Sequence, residues 1–211
     1  QANYVDNNAP GHPNGYVSSD LASIPTGYPE KDAYMMARAF RIWQGVFGAG
    51  SERLVKVATG QAAWAGNSGR ILEYLSHSGY MCDALAVGGY FYYSDEDHED
   101  WVSSPSTVTP GGICDAAKEY FGETTEVWTR ESAAVAQQYG VPYLVYEGGQ
   151  HMQPYNQEEW SYNDKLYEAQ IHNKMYLLYL LNFALHSEAD VDCQLFMAYS
   201  HMGPRQSRWG S

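Results

Sequence analysis

Two periodicities alternate along most of this chain, and that alternation limits the architectures open to it. Met36, Phe40, Trp43 and Phe47 fall at i, i+4, i+7 and i+11, one stripe of a helix that Gly48 or Gly50 would end. Leu54 to Ala63 (LVKVATGQAA) reads as a short strand, Ser68 to His77 as a short helix, and Asp83 to Tyr93 (DALAVGGYFYY) as an apolar strand. Ser94 to Gly122 is acidic and turn-rich and reads as a loop. A helix near Thr125 to Tyr139 then leads into a strand, Pro142 to Glu147 (PYLVYE). One long helix is expected over about Asp164 to His186, with Ile171, Met175, Leu178, Asn182 and Leu185 on one stripe, followed by a last strand over Asp192 to Tyr199. Residues 1 to 30 are dense in Asn, Pro and Gly and read as a long surface loop.

Near-continuous apolar strands alternating with amphipathic helices are the sign of a parallel sheet covered by helices, so the fold class is α/β. Two architectures fit: an open doubly wound sheet, or part of a (β/α)8 barrel. A doubly wound sheet usually carries a glycine-rich phosphate turn directly after a strand, and neither GxGxxG nor GxxxxGK[ST] is present. Polar and aromatic residues instead collect at the C-terminal ends of the strands, at Gln61, Tyr90, Glu147 and the Ser200-His201 region. A barrel builds its active site at that end, which favours the barrel. The chain has 211 residues, against about 250 for a complete eight-stranded barrel.

Charge removes one class of partner. Twelve basic residues against 25 acidic ones give a net charge of −13 with no Lys/Arg cluster, the opposite of a phosphate-neutralising surface, so no nucleic-acid partner is expected. The longest apolar run, around Met175 to Leu185, is interrupted by Asn182 and falls short of the roughly 20 residues that span a bilayer, so no membrane segment is expected. Cys82, Cys114 and Cys193 lie far apart, outside any zinc spacing, and are expected to be free or buried thiols, with a single disulfide the alternative. The acidic run Asp95 to Asp100 (DEDHED) lacks the DxDxDG spacing of a calcium loop and reads as a solvated loop. Neither a metal nor another cofactor is implied. The 19 Tyr and 6 Trp suit cores, protein interfaces and sugar rings alike.

Glu147 is the leading chemical candidate. It ends the apolar strand Tyr143-Leu144-Val145-Tyr146 and precedes two glycines, so its carboxylate is held at a strand tip. Tyr90, at the end of the preceding strand, can donate a hydrogen bond that keeps such a carboxylate ionised and oriented. Gln61 and His151 can hydrogen-bond sugar hydroxyls. Each also has a plainer use: a strand cap for Gln61, a core ring for Tyr90 and a loop contact for His151.

The string Leu144-Val145-Tyr146-Glu147-Gly148-Gly149-Gln150-His151 resembles the nucleophile segment of a group of bacterial TIM-barrel glycoside hydrolases in the large retaining clan. Phe40 to Gly48 (FRIWQGVFG), Arg53 to Ala63 (RLVKVATGQAA) and Asp83 to Phe91 (DALAVGGYF) are similar to the same group, in the same order, so the resemblance covers most of residues 31 to 152. It implies that residues 1–211 are the C-terminal half of a catalytic barrel, with 1–30 a long loop after the fourth strand and 31–211 carrying strands five to eight. It also implies that Glu147 is the nucleophile, that Tyr90 holds the strand-six position contacting it, and that Trp209 is the aromatic platform after strand eight. The clan's acid/base glutamate would precede Gln1, and retaining hydrolysis needs both carboxyl groups, about 5 to 5.5 Å apart. The expected activity is therefore retaining hydrolysis of an O-glycosidic bond in a polysaccharide or oligosaccharide, by an exported protein, with this segment alone inactive. The alternative is a non-catalytic carbohydrate-binding protein on the same fold.

Overall fold

The computed structural model describes residues 27–152 and 161–199. Its elements run α1 (Glu30–Phe47), β1 (Val57–Thr59), α2 (Ala65–Ser78), β2 (Ala84–Phe91), α3 (Asp95–Ser103), α4 (Pro110–Tyr120), α5 (Glu126–Gln138), β3 (Tyr143–Gln150), α6 (Asn163–Gln170), α7 (Asn173–His186) and β4 (Cys193–Ala198). The loop expected over residues 1 to 30 lies outside the described residues except at its last four positions.

The four strands form one parallel sheet in the order β1-β2-β3-β4, so order in space follows order in the chain. Parallel crossovers are almost always right-handed. A monotonic order therefore puts every crossover on one side of the sheet, without the reversal that defines a doubly wound fold. That side is occupied: Phe91 meets Phe121 and Tyr179 edge-on, and Phe196 meets Phe183 and His186 at 5.0 and 4.9 Å between ring centroids. Leu85, Val87 and Phe91 of β2, with Val145 of β3, are completely buried there. On the opposite face Tyr146, Leu195, Met197 and Tyr199 are exposed.

Several sequence expectations are corrected. The strand expected over Leu54 to Ala63 shrinks to Val57–Thr59, because β1 follows β2 only from Ala84 to Ala86. The stripe of α1 leaves the core after Phe40: Trp43 and Phe47 are exposed and stack on each other at 5.6 Å. The loop expected over Ser94 to Gly122 contains two helices. Ser94 accepts from the Asp97 backbone N–H at 3.0 Å while the Asp97 carboxylate accepts from the Ser94 backbone N–H at 3.2 Å, a reciprocal cap. Asp95, Glu96 and Asp97 then sit in the first turn of α3, where the helix dipole favours negative charge. The acidic run is thus a helix start rather than a loop. Thr109 caps α4 one way, its hydroxyl accepting from the Gly112 backbone N–H at 3.0 Å, with Pro110 following it. The long helix expected over Asp164 to His186 is broken at Ile171 and His172, where the His172 ring accepts from the Lys174 backbone N–H and starts α7 afresh. The three cysteines are free, Cys82 and Cys114 buried and Cys193 half-buried.

Candidate active site

The site begins with a slip in strand register. Along β2 and β3, Val87 pairs with Val145, but the next residue, Gly88, pairs with Glu147. The β3–β4 ladder shifts over the same stretch, between Val145 and Gly148. One extra residue is thus accommodated at Tyr146, a bulge of the kind that re-aims a side chain beside active sites. Val145 faces the helices. Its partner across the slip, Gly148, faces them too, because a Cβ there would stand 2.6 Å from the Phe196 ring. Tyr146 and Glu147, the two residues between them, are consequently turned to the helix-free face. The sequence places Glu147 at the strand tip, whereas β3 continues to Gln150 and Glu147 sits on the bulge.

Tyr90 reaches this carboxylate. It shares the helix-free face with Gly88, the residue paired with Glu147, and burial first, then the charge of Glu147 and hydrogen bonding to it, push the phenol far above its usual range. The phenol therefore stays protonated at neutral pH and remains a donor. Gly88, with no side chain, leaves the floor beside Tyr90 clear: a Cβ there would lie 3.4 Å from the Tyr90 ring. His151 stands edge-on to Tyr90 at 5.1 Å and to Tyr92 at 6.2 Å, and its backbone N–H donates to Phe91 at 2.9 Å. Burial pulls the imidazole downward, against the opposing effects of its own backbone hydrogen bond and the Glu147 charge. It is thus a neutral ring able both to donate and to accept. Tyr146 is shifted upward by burial and then by Glu147. Tyr90, Tyr146 and His151 all feel the charge of Glu147, which is the electrostatic centre of the cluster.

Of the residues singled out from sequence, Glu147, Tyr90 and His151 come together. Gln61 does not join them. It is exposed, two residues past β1, and its backbone carbonyl accepts from Trp64 in a turn, while its side chain makes no hydrogen bond among the described residues. Trp209 and the Ser200-His201 region lie outside the described residues. Two residues were missed. Tyr199 stands edge-on to Tyr90 at 6.3 Å and its backbone N–H donates to Gly148 at 2.9 Å, and Tyr146 presents a ring 42% exposed beside Glu147. Tyr199 had a legible signal, a tyrosine just after the last strand, as Tyr90 stands near the end of β2. Tyr146 had none, because a regular strand without the bulge gives no reason to place it next to Glu147 on one face.

Among the described residues no group of three or more His, Cys, Asp or Glu is placed to hold a metal ion. No helix among them is long and apolar enough to cross a membrane. The chemistry available here is that of a carboxyl group beside a phenol, with a neutral imidazole and open aromatic rings around it. Comparison with family models, with curated proteins and with solved structures gives no match.

Proposed function

We propose that this chain carries the nucleophile half of a retaining O-glycoside hydrolase acting on a polysaccharide or oligosaccharide, with Glu147 as the nucleophile. The observation that carries the reading is the bulge that sets Glu147 on the helix-free face beside Tyr90, toward the C-terminal end of a parallel sheet. A phenol that donates to one carboxylate oxygen leaves the other free to attack an anomeric carbon. His151, Tyr146 and Tyr199 offer hydroxyl partners and ring faces for a pyranose. Barrel enzymes assemble their chemistry at this end of their strands.

The monotonic strand order supports the reading that these are four consecutive units of a (β/α)8 barrel. So do the flanks. At the β4 side α7 exposes Tyr176, Leu177, Leu180 and Leu181, and at the other end of the chain order α1 exposes Ile42, Trp43 and Val46. Further β/α units would cover these exposed apolar side chains. In this reading the second carboxyl, the acid/base, comes from a preceding unit, as the family resemblance implies, and the protein is exported.

The test uses a leaving group that needs no acid. With a panel of 2,4-dinitrophenyl glycosides, a Glu147 oxygen bonds to the anomeric carbon and the carbon–oxygen bond to the aryl group breaks. Dinitrophenolate then departs with the electron pair. Without a base to activate water, the ester persists. The expected result with one sugar of the panel is a burst of one equivalent of dinitrophenolate per chain, lost in Glu147→Gln. A burst of equal size in both proteins would contradict the assignment.

A further inference from the structure

We infer that Asn182 and Tyr179, both on α7, are positioning residues that hold β2 and β3 in the register presenting Glu147 to Tyr90. Asn182 is fully buried and occupies the same stripe as Met175, Leu178 and Leu185, where an apolar side chain would fit without a polar group to satisfy. Its amide nitrogen donates to the backbone carbonyl of Gly89 at 3.0 Å, and its amide oxygen has no partner among the described residues. A buried amide with half its capacity unused is a cost to the fold. The one bond it makes goes to the residue that precedes Tyr90 and pairs with Gly148. One turn earlier, the Tyr179 hydroxyl accepts from the Gln150 backbone N–H at 3.4 Å, and its ring lies 3.3 Å from where a Cβ on Gly149 would stand. The two contacts fall just past the bulge, on its C-terminal side, one on each strand. Gly89 and Gly148 let the two strands come together here: a Cβ at Gly148 would come within 2.6 Å of the Gly89 carbonyl oxygen that Asn182 holds. Helix α7 therefore grips the backbone of both strands beside the point where their register slips.

The inference rests on the reading of Glu147 as the functional carboxylate, and its test is independent of any sugar. The chain is labelled with tyrosine carrying ¹³C at Cζ, and the Tyr90 signal is identified by its loss in Tyr90→Phe. Glu147→Gln, which exchanges a charged acceptor for a neutral one, sets the displacement of that signal when the native contact is lost. Tyr179→Phe keeps the ring and removes only the hydroxyl; Asn182→Leu keeps the volume and removes the amide. Each is expected to move the Tyr90 signal a large part of the way toward its Glu147→Gln position. If Asn182→Leu does not fold, Tyr179→Phe decides. Folded variants that leave the Tyr90 signal at its wild-type position, while Glu147→Gln displaces it, would overturn the positioning role and leave the functional reading intact. A Tyr90 signal that Glu147→Gln does not move would overturn both.

Discussion

Replacing Gly148 with alanine should destabilise the chain by about 2–3 kcal/mol, the upper part of the range for forcing extra volume into a close-packed site. The new Cβ would stand 2.6 Å from the Gly89 carbonyl oxygen, 2.6 Å from the Phe196 ring and 3.0 Å from the Gly89 carbonyl carbon. Neither neighbour yields cheaply. The carbonyl belongs to β2 and is held by Asn182 at 3.0 Å. The Phe196 ring is wedged edge-on between Phe183 and His186 at 5.0 and 4.9 Å. The two strands must therefore separate at the point where the register slips, and Glu147 moves with them. Gly45→Ala serves as the control, since α1 has nothing within 4 Å of that position. It should gain about 0.5–1 kcal/mol from reduced chain entropy in a helix. Urea unfolding followed by circular dichroism gives both values. A Gly148→Ala loss below about 0.5 kcal/mol, within the ordinary range for surface substitutions, would refute the close approach of β2 and β3 on which the site geometry depends.

Burial lowers the pKa of both His151 and His186. The folded chain therefore keeps them neutral while the unfolded chain protonates them near about 6.5. Their contribution to stability is present above that pH and is lost as pH falls below it, so Tm should decline from pH 7.5 to 5.5, less steeply in His186→Gln; a Tm that rises over that interval would count against the assignment. Arg130 pairs with Glu126 within α5 and ties that helix to the segment before β4 through Glu188 and Asp190. These pairs are partly exposed, so Arg130→Ala should cost about 1 kcal/mol at low salt and less in 1 M NaCl, a difference measured by urea unfolding at the two salt concentrations. Burial pushes the thiols of Cys82 and Cys193 up and that of Cys114 up to about 11. All three should therefore react slowly with Ellman's reagent at pH 7.5 and quickly in urea; fast stoichiometric labelling of the native chain would contradict their burial.

How much of this could be read in advance follows from the range of each signal. Strand β2 announces itself in Asp83 to Tyr93 because a strand buried in a parallel sheet needs apolar residues at nearly every position. The α3 cap was missed although Ser94 and Asp97 have the spacing, because a cluster of six polar residues resembles a solvated loop by composition alone. The break at Ile171 and His172 escaped for the opposite reason: the stripe from Ile171 to Leu185 keeps its period, and the interruption is made by one side-chain contact, His172 to the Lys174 backbone. Glu147, Tyr90 and His151 were legible because polar and polar-tipped residues stand out toward the C-terminal end of an apolar strand, although Glu147 lies on a bulge within β3 rather than at its tip. The bulge was not, since it arises from β2, β3 and β4 pressing together where Gly89 and Gly148 permit it. Asn182 was visible as the polar member of an apolar stripe, but its target, the Gly89 carbonyl, exists only once α7 lies across the sheet.

The most direct test of the account is where a trapped sugar resides. A 2,4-dinitrophenyl 2-deoxy-2-fluoroglycoside slows turnover of a glycosyl ester, and peptide mass spectrometry of the treated chain reads the position of the added sugar. The account predicts a single fluoroglycosyl group on Glu147, within the peptide that contains Tyr143 to His151, and none in Glu147→Gln. A sugar attached to any other carboxylate, with Glu147 unmodified, would contradict it.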